Sequence, residues 1–324
     1  MKTKLLILFC LLSQLIFAQI KLQNLRCEML KNPEGIDVAQ PRLSWQISTL
    51  QRNVQQVAYQ ILAASSKDKL NKNEGDLWNS GKVNSNTSIH VSYAGNALQS
   101  RTACFWKVKS FTNKGESAWS EPVSFSIGLL NKTDWKAKWI GYDKASPWDS
   151  ITQFSRLSAR YFRKQFQSTS TIKKATVYVV GLGLYELYIN GNKIGNHVLA
   201  PAPTDYRKSV LYNTYDVTQN VKNGNNVIAT VLGNGRFFTM RQDYKPKKIN
   251  TFGFPKMLLQ LEIDYVDGTK KTIISDDTWK LNVDGAIRTA NEYDGEEYDA
   301  RKEQTGWNNT GFNDTKWLTP ELVE

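Results

Sequence analysis

The densest set of acid–base groups in the chain lies in the segment YDGEEYDAR, residues 293–301. A glycosidase places two carboxyl groups across the scissile bond, about 5–5.5 Å apart for retention and about 6.5–9.5 Å apart for inversion. The candidate carboxylates are Asp294, Glu296, Glu297, Asp299, Asp276 and Asp277. Asp276 and Asp277 directly precede Thr278, which is typical of a turn.

On a strand, Glu296 would share one face with Tyr298, and Glu297 would share the other with Asp299. Arg301 has the forked guanidinium that binds a carboxylate such as Asp299 through two hydrogen bonds. We therefore expect Glu296, Asp299 and Arg301 to serve structure or domain docking, and we assign no catalytic residue in this chain. Catalysis by Glu296 or Asp299 is kept as a third hypothesis.

The chain carries few of the residues and motifs that other reaction chemistries require. The chain has no GxSxG motif, and its two histidines, His90 and His197, leave little for imidazole catalysis or zinc binding. The run Gly181-Leu182-Gly183 lacks the third glycine of a dinucleotide site and indicates a bend in a strand. Cys27 and Cys104 form no metal-ligand pattern, and either a disulfide or two buried free thiols is consistent with their apolar surroundings.

A carbohydrate-contacting surface is a second kind of site that the residue types allow. Between Gly181 and Phe237, strand patterns alternate with a loop that is rich in proline and aromatic residues. Rings could stack on a sugar, and amide, carboxylate and guanidinium groups could bond its hydroxyls. The stacking candidates are Tyr185, Tyr206, Tyr212 and Phe237. The hydrogen-bonding candidates are Asn190, Asp205, Asn234 and Arg236. An ordinary structural loop shows the same composition.

These residues must be positioned by strands, because the helical period is nearly absent while short alternating runs recur between turn signals. Asn190-Gly191-Asn192 has the residue types of a hairpin turn. The first part of the chain shows seven such runs, enough for one sandwich. They are Leu22–Leu30, Arg42–Ser48, Val57–Ser65, Trp78–Val83, Ser88–Val91, Ala103–Thr112 and Val123–Ile127. Trp45, Tyr59, Ile61 and Trp106 should point into its core.

Residues 1–18 have the pattern of a signal peptide, with Lys2 and Lys4 before an apolar run. We therefore expect an exported, periplasmic or extracellular protein. No later segment is apolar enough to span a membrane. The formal net charge is +12, and it becomes +10 (+12 minus 2) without the two leader lysines. The remaining lysines are scattered, so nucleic acid is not an expected partner.

Two groups of motifs resemble one family. NPEGID…PRLSWQI and FWKVKSFTNKGESAWSEPVSF resemble the fibronectin type III-like domain that opens many bacterial α-L-rhamnosidases. ARYFRKQF, GLGLYELYINGNKIG, LAPAPTDYRKSVLYNTYDVT, NNVIATVLGNGRF and DGEEYDAR with GW…GFND…W follow in the order of that family's N-terminal domain. The resemblance implies a galactose-binding-like, jelly-roll β-sandwich after the first domain. In the family, a catalytic (α/α)6 barrel then hydrolyses rhamnosides with inversion.

The chain departs from the family pattern in two loops. Asn234 and Arg236 stand where relatives often carry an acidic residue and a tryptophan, which weakens a sugar contact there. The loop from Ala200 to Tyr206 lacks the glycine and tryptophan that relatives often show after its first proline. Some related modules bind rhamnose through calcium, so the resemblance admits a calcium ion whose ligands cannot be assigned to particular residues.

The sequence thus predicts an all-β protein with a signal peptide at 1–18, a fibronectin type III-like domain at 19–131, a rhamnosidase N-terminal β-sandwich at 132–320 and a truncated end at 321–324. The expected function is the accessory region of an exported α-L-rhamnosidase, without the barrel and inactive alone. Its expected partners are a rhamnose-containing glycan and a helical catalytic domain. The alternative is a stand-alone carbohydrate-binding protein of two sandwiches.

Overall fold

The structure is a computed structural model that describes residues 20–151, 156–238 and 252–324. The predicted signal peptide lies outside these residues. The chain divides into two compact units, one extending to Asp134 and the other from Trp135 to Glu324. The strands dominate both units, so the all-β prediction is confirmed. No helix among the described residues is long and apolar enough to cross a membrane.

The described residues of the first unit form two antiparallel sheets, one short α-helix and a single-turn 3₁₀ helix at Lys132–Asp134. Its strands are β1 (Lys21–Cys27), β2 (Arg42–Ser48), β3 (Gln56–Ala64), β4 (Trp78–Asn79), β5 (Val91–Ser92), β6 (Ala103–Thr112), β7 (Gly115–Glu116) and β8 (Val123–Ser126). One sheet has the order β1-β2-β5, and the other has the order β4-β3-β6-β7 with β8 also pairing with β6. Helix α1 (Lys67–Asn71) begins after Ser66, whose side chain accepts a hydrogen bond from the Lys69 N–H.

The alternation of the strands builds the main apolar core, and a smaller cluster packs around Leu70 of α1. Trp45, Tyr59, Ile61 and Trp106 are all buried. The Trp45 indole donates a 3.0 Å hydrogen bond to Gln56, which satisfies its one polar atom inside the core. Cys27 and Cys104 lie in the same core as free thiols. The sequence pattern does not predict α1 and β7, because they are too short to show a clear period.

The second unit places two larger sheets face to face. Its strands are β9 (Ile140–Gly141), β10 (Arg160–Ser168), β11 (Ile172–Leu182), β12 (Leu184–Ile189), β13 (Asn192–Lys193), β14 (Asn213–Asp216), β15 (Gly224–Gly233), β16 (Lys256–Tyr265), β17 (Lys270–Ile274), β18 (Lys280–Asn282), β19 (Ile287–Asn291), β20 (Gly295–Tyr298) and β21 (Glu321–Leu322). One sheet has the order β13-β12-β15-β10-β18, and the other contains β14-β11-β16-β9-β21 with β17 also on β16.

Alternate residues of both sheets point inward and form the main core of this unit. Phe162, Leu187 and Ile228 contribute from the five-stranded sheet, and Val177 and Leu259 contribute from the six-stranded one. The opposite side chains of the five-stranded sheet therefore form an outer face. Strands β19 and β20 pair only with each other, in a separate hairpin, among the described strands.

Candidate functional site

The outer face of the five-stranded sheet carries a concave site, and glycines make room for one of its walls. A Cβ added to Gly233 on β15 would lie 2.9 Å from the Cβ of Ala290 on β19. A Cβ added to Gly285 would lie 2.2 Å from the Tyr161 ring. Such distances are shorter than van der Waals contact. The absence of side chains at these two positions therefore lets the chain around β19 approach the sheet closely.

We call this site the outer-face groove. It has two adjacent parts, with cavity volumes of about 330 and 530 Å³. Glu186, Val231 and Ile287 line both parts and so lie at the border between them. A concave surface with an apolar lining and a few polar groups is the usual form of a small-molecule site.

The smaller part is lined by aromatic rings. Tyr161 and Tyr188 meet the Trp307 ring edge-on, with centroids 5.1 and 5.7 Å apart. Trp307 and Trp317 lie nearly parallel at 6.3 Å, and Trp317 donates a 3.0 Å hydrogen bond to Gln304. The half-buried indoles are therefore held in fixed orientations at the wall of the groove.

Glu186 is the carboxylate at the junction of the two parts. It accepts a 2.5 Å hydrogen bond from the Tyr188 hydroxyl and pairs with Lys193. Burial alone would raise the pKa of Glu186, but the contacts with Lys193 and Tyr188 outweigh it and lower that pKa. Burial and the neighbouring Glu186 raise the pKa of the Tyr188 hydroxyl. At neutral pH the groove thus presents a charged carboxylate beside a neutral phenol.

The larger part is mainly apolar. Leu184, Leu199, Val231, Ile287 and Ala290 provide its apolar lining. Asn291 and Glu296 add polar groups. The backbone of Glu296 pairs with Ala290 in the hairpin, whereas its exposed side chain makes no hydrogen bond or ion pair with another residue in the described ranges. It is therefore free to accept hydrogen bonds from a ligand.

The predicted sugar-contacting residues do not form one site. Tyr185 lines the larger part but is 94% buried, with an exposed fraction of 6%. Its hydroxyl donates to Asn213 at 2.9 Å and contacts Tyr215 at 3.1 Å. Asn190 lies in the hairpin turn, where its amide contacts Asn226 and its oxygen accepts from the Val227 N–H. Both side chains are used within the fold.

A second group of the predicted residues lies together in an aromatic cluster away from the groove lining. Tyr206 meets the rings of Phe237 and Phe252 edge-on at 5.3 and 5.2 Å. Tyr212 meets Trp135 edge-on at 5.4 Å. Tyr206, Tyr212 and Phe237 belong to one apolar cluster, in which Phe237 is buried. Among these residues, packing accounts for the aromatic character of the loop.

The three remaining predicted residues, Asp205, Asn234 and Arg236, are engaged in polar contacts within the fold. Asp205 pairs with the exposed Arg207 at 2.9 Å, which lowers the pKa of the Asp205 carboxyl. Asn234 is buried and accepts a hydrogen bond from the Ala290 N–H, and Arg236 pairs with Glu292 at 2.9 Å. Asn234 and Arg236 therefore attach the β19 wall to β15.

The predicted docking residues occupy the hairpin and its exit. Asp299 pairs with Arg301 at 2.7 Å, as the sequence predicts, and this pair holds the pKa of Asp299 at about 2. Glu297 pairs with Arg156. Glu296 instead lines the groove. Asp276 accepts from the Thr278 N–H, which confirms the predicted turn.

No three His, Cys, Asp or Glu side chains converge as a metal-binding set within residues 20–151, 156–238 and 252–324. The calcium expectation therefore gains no ligand set from the described part of the chain.

The residues that sequence reasoning missed are Glu186, Tyr188, Trp307 and Trp317. The period of two places Tyr185 and Tyr188 on opposite faces of β12, but it does not predict which face packs into the core. The tryptophans lie in the quoted GW…GFND…W pattern, where their mutual contact depends on the folding of the chain after β20.

Each unit matches a known protein family. Residues 22–131 match the Rha78A-like N-terminal immunoglobulin domain, and residues 170–324 match the alpha-L-rhamnosidase N-terminal domain. An alpha-L-rhamnosidase of Formosa agariphila is 37% identical over 304 residues, which cover 88% of this chain and 32% of that protein.

Solved structures agree. The alpha-L-rhamnosidase from Dictyoglumus thermophilum is 40% identical with a TM-score of 0.82, and the match covers 94% of this chain and 34% of that one. The Streptomyces avermitilis alpha-L-rhamnosidase complexed with L-rhamnose is 25% identical with a TM-score of 0.81, covering 94% and 45%. The chain spans about a third of the length of the Formosa agariphila protein. Its two domains thus belong to the N-terminal region of the α-L-rhamnosidase family.

Proposed function

We propose that this chain is the accessory region of an exported α-L-rhamnosidase, and that its outer-face groove contacts a rhamnose-containing glycan. The observation that carries the proposal is the combination of fixed aromatic rings with free and charged carboxylates in one concave surface. Sugars present both C–H faces and hydroxyl groups, so this combination matches their chemistry.

Each part of the groove has a role in this proposal. The indoles of Trp307 and Trp317 offer apolar contact to a sugar ring, with little loss of entropy because neighbouring rings already hold them. Glu186 stays charged at neutral pH and accepts hydroxyl hydrogen bonds. Glu296 adds a second acceptor from the opposite wall.

The proposed contribution is binding and support rather than bond cleavage by this region. Asp299 and Glu297 are engaged by Arg301 and Arg156, which favours a structural role for these acids. Hydrolysis of α-L-rhamnosides is the activity that the relatives' names carry. We propose that a helical catalytic domain performs it in the parent enzyme.

Calorimetric titration of the purified chain with L-rhamnose and with a rhamnosylated oligosaccharide tests the proposal, with calcium and with a chelator. We expect saturable heat that is lost in Trp307→Ala and retained in Trp119→Ala, a half-buried tryptophan of the first unit. A Trp307→Phe variant keeps an aromatic ring at the wall and should retain part of the affinity. No heat under either condition, or unchanged binding by Trp307→Ala, would contradict the proposal.

A stand-alone carbohydrate-binding role is the second candidate. It is favoured by one observation, namely that every residue lining the groove belongs to the second unit. If the isolated chain binds glycan as tightly as a longer protein that includes a helical domain, this candidate gains support. Much weaker binding by the isolated chain would favour the accessory role.

Export is a separate part of the proposal and rests on the pattern of residues 1–18. N-terminal sequencing of protein recovered from the producing cells tests it. A mature chain beginning at Gln19 in the periplasm or medium would support export, and an intact Met1 in the cytoplasm would contradict it.

A further inference from the structure

The larger part of the groove has a rim residue with an unusual backbone. Leu199 has φ of +54° and is 68% exposed, and the adjacent Val198 is 80% exposed. A positive φ is uncommon for a residue with a Cβ, and leucine has no polar side chain to offset the strain locally. Strained backbone of this kind concentrates at functional sites. Leu199 therefore combines a solvent-exposed apolar side chain with a strained backbone conformation.

The position of Leu199 is set by the sheet below it. The Tyr185 N–H donates a 2.9 Å hydrogen bond to the Ala200 carbonyl, in an antiparallel bridge. This bond fixes the residue next to Leu199 against β12. Leu199 lines the groove, whereas Val198 does not. The fold thus presents the Leu199 side chain at the rim of the larger part of the groove.

The apolar side chains of this part of the groove match an apolar group on the ligand, whereas Glu186, Asn291 and Glu296 line it with polar groups. Leu184 and Val231 come from the outer face of the sheet, and Ile287 and Ala290 come from β19. A methyl group placed among them would leave water favourably. A hydroxyl placed there would lose hydrogen bonds to water and would find no partner among these four side chains.

We propose that this apolar part receives the C6 methyl group of a 6-deoxyhexose, and that Leu199 makes the groove selective for 6-deoxy sugars over hexoses. This inference rests on the sugar-binding role proposed above. L-Rhamnose is 6-deoxy-L-mannose, so the two sugars differ only by a hydroxyl at C6. Glu186 and Glu296 then accept hydrogen bonds from hydroxyls on the sugar ring. One such difference changes affinity about ten- to a hundredfold in a site of this type.

The test compares the affinities of L-rhamnose and L-mannose for the purified chain and for Leu199→Gly. Glycine suits a positive φ, so this variant should fold at least as stably as the natural chain. We expect the natural chain to bind L-rhamnose at least about tenfold more tightly. The ratio should fall towards one in Leu199→Gly and stay unchanged in Val198→Ala, the matched exposed control.

Equal affinities for the two sugars in the natural chain would overturn this inference and leave the binding role intact. A ratio that survives in Leu199→Gly would also overturn it, because selectivity would then lie elsewhere. Binding of neither sugar would overturn the binding role and this inference together. The outcomes therefore separate failure of the selectivity from failure of the proposed function.

Discussion

Glu186 illustrates how a partly buried carboxylate is kept ready to accept hydrogen bonds. The Lys193 ammonium and the Tyr188 hydroxyl contact different oxygens of the same carboxylate. Together they offset the burial that would otherwise favour the protonated acid. The charged form therefore persists at pH values below the ordinary pKa of a glutamate.

This gives a pH prediction for sugar binding. Because the pKa of Glu186 is lowered from 4.5, we expect the affinity to stay constant from pH 7 to pH 5. It should weaken only as the pH falls below 4.5, where the carboxylate begins to be protonated. Glu186→Gln should cost about 1.5–3 kcal/mol of binding at neutral pH. Calorimetry across this range measures both effects, with Glu116→Gln in the first unit as the control.

A buried ion pair gives a second prediction at the residue scale. Arg163 is fully buried and pairs with Asp314, while it also donates a 3.0 Å hydrogen bond to the Asn309 carbonyl. Asp314→Ala would leave a buried guanidinium without its counter-charge, so unfolding free energy should fall by about 3–5 kcal/mol. The exposed pair of Asp205 and Arg207 is the control, and Asp205→Ala should cost at most about 1 kcal/mol.

Chemical denaturation measures these free energies of unfolding. The double variant Arg163→Met/Asp314→Leu should recover much of the loss, because no unpaired charge remains. Equal costs for the buried and the exposed pair would contradict the argument.

Individual site residues were harder to predict than residue types. The sequence shows that Glu186 and Tyr188 share one face of β12 and that Tyr185 lies on the other, but it does not show that the Tyr185 face is the buried one. Burial of one face depends on the opposite sheet, which a single strand does not encode. Asp299 with Arg301 was predictable because its partner lies two residues away.

At the scale of elements, the β19–β20 hairpin creates the groove. It is attached to β15 through Asn234 and through the pair of Arg236 with Glu292. Its approach to the sheet depends on Gly233, which faces Ala290. An attached strand across an open sheet face produces a concave surface that neither element has alone.

Adding one methyl group at Gly233 should displace this wall. The new Cβ of Gly233→Ala would lie 2.9 Å from the Ala290 Cβ, so we expect a loss of about 1–3 kcal/mol in stability and weaker sugar binding. Removing the opposing atom in Gly233→Ala/Ala290→Gly should restore part of both. Denaturation and calorimetry of the single and double variants test this, and absence of rescue would show that the clash lies elsewhere.

Long strands were predictable from the sequence because their period extends over several residues. The predicted runs at Arg42–Ser48 and Ala103–Thr112 coincide with β2 and β6. Two-residue strands such as β7 depend on a neighbouring strand for their hydrogen bonds, so no local sequence pattern predicts them. The groove was beyond sequence reasoning for the same reason, since its walls come from residues more than a hundred positions apart.

At the scale of the whole molecule, the reactivity of the two cysteines tests whether they are buried free thiols or form a disulfide. Cys27 and Cys104 are buried and free, and burial raises the pKa of Cys27 to about 12 and also raises that of Cys104. Because thiolate is the reactive form, folded protein that is produced from Gln19 onward should react with a disulfide reagent very slowly. Two thiols should react after unfolding without reductant. Fewer than two would indicate a disulfide instead.

The pairing of β21 with β9 has a practical consequence for the gene. Leu322 lies opposite Ile140, and the Val323 N–H donates to the Trp139 carbonyl at 3.1 Å. The first and last strands of the second unit are thus neighbours, although about 180 residues separate them. The order of its strands along the chain can therefore be permuted without changing which strands pair. A circularly permuted gene that fuses these ends and opens at the exposed Asp267–Gly268 turn should encode the same sandwich.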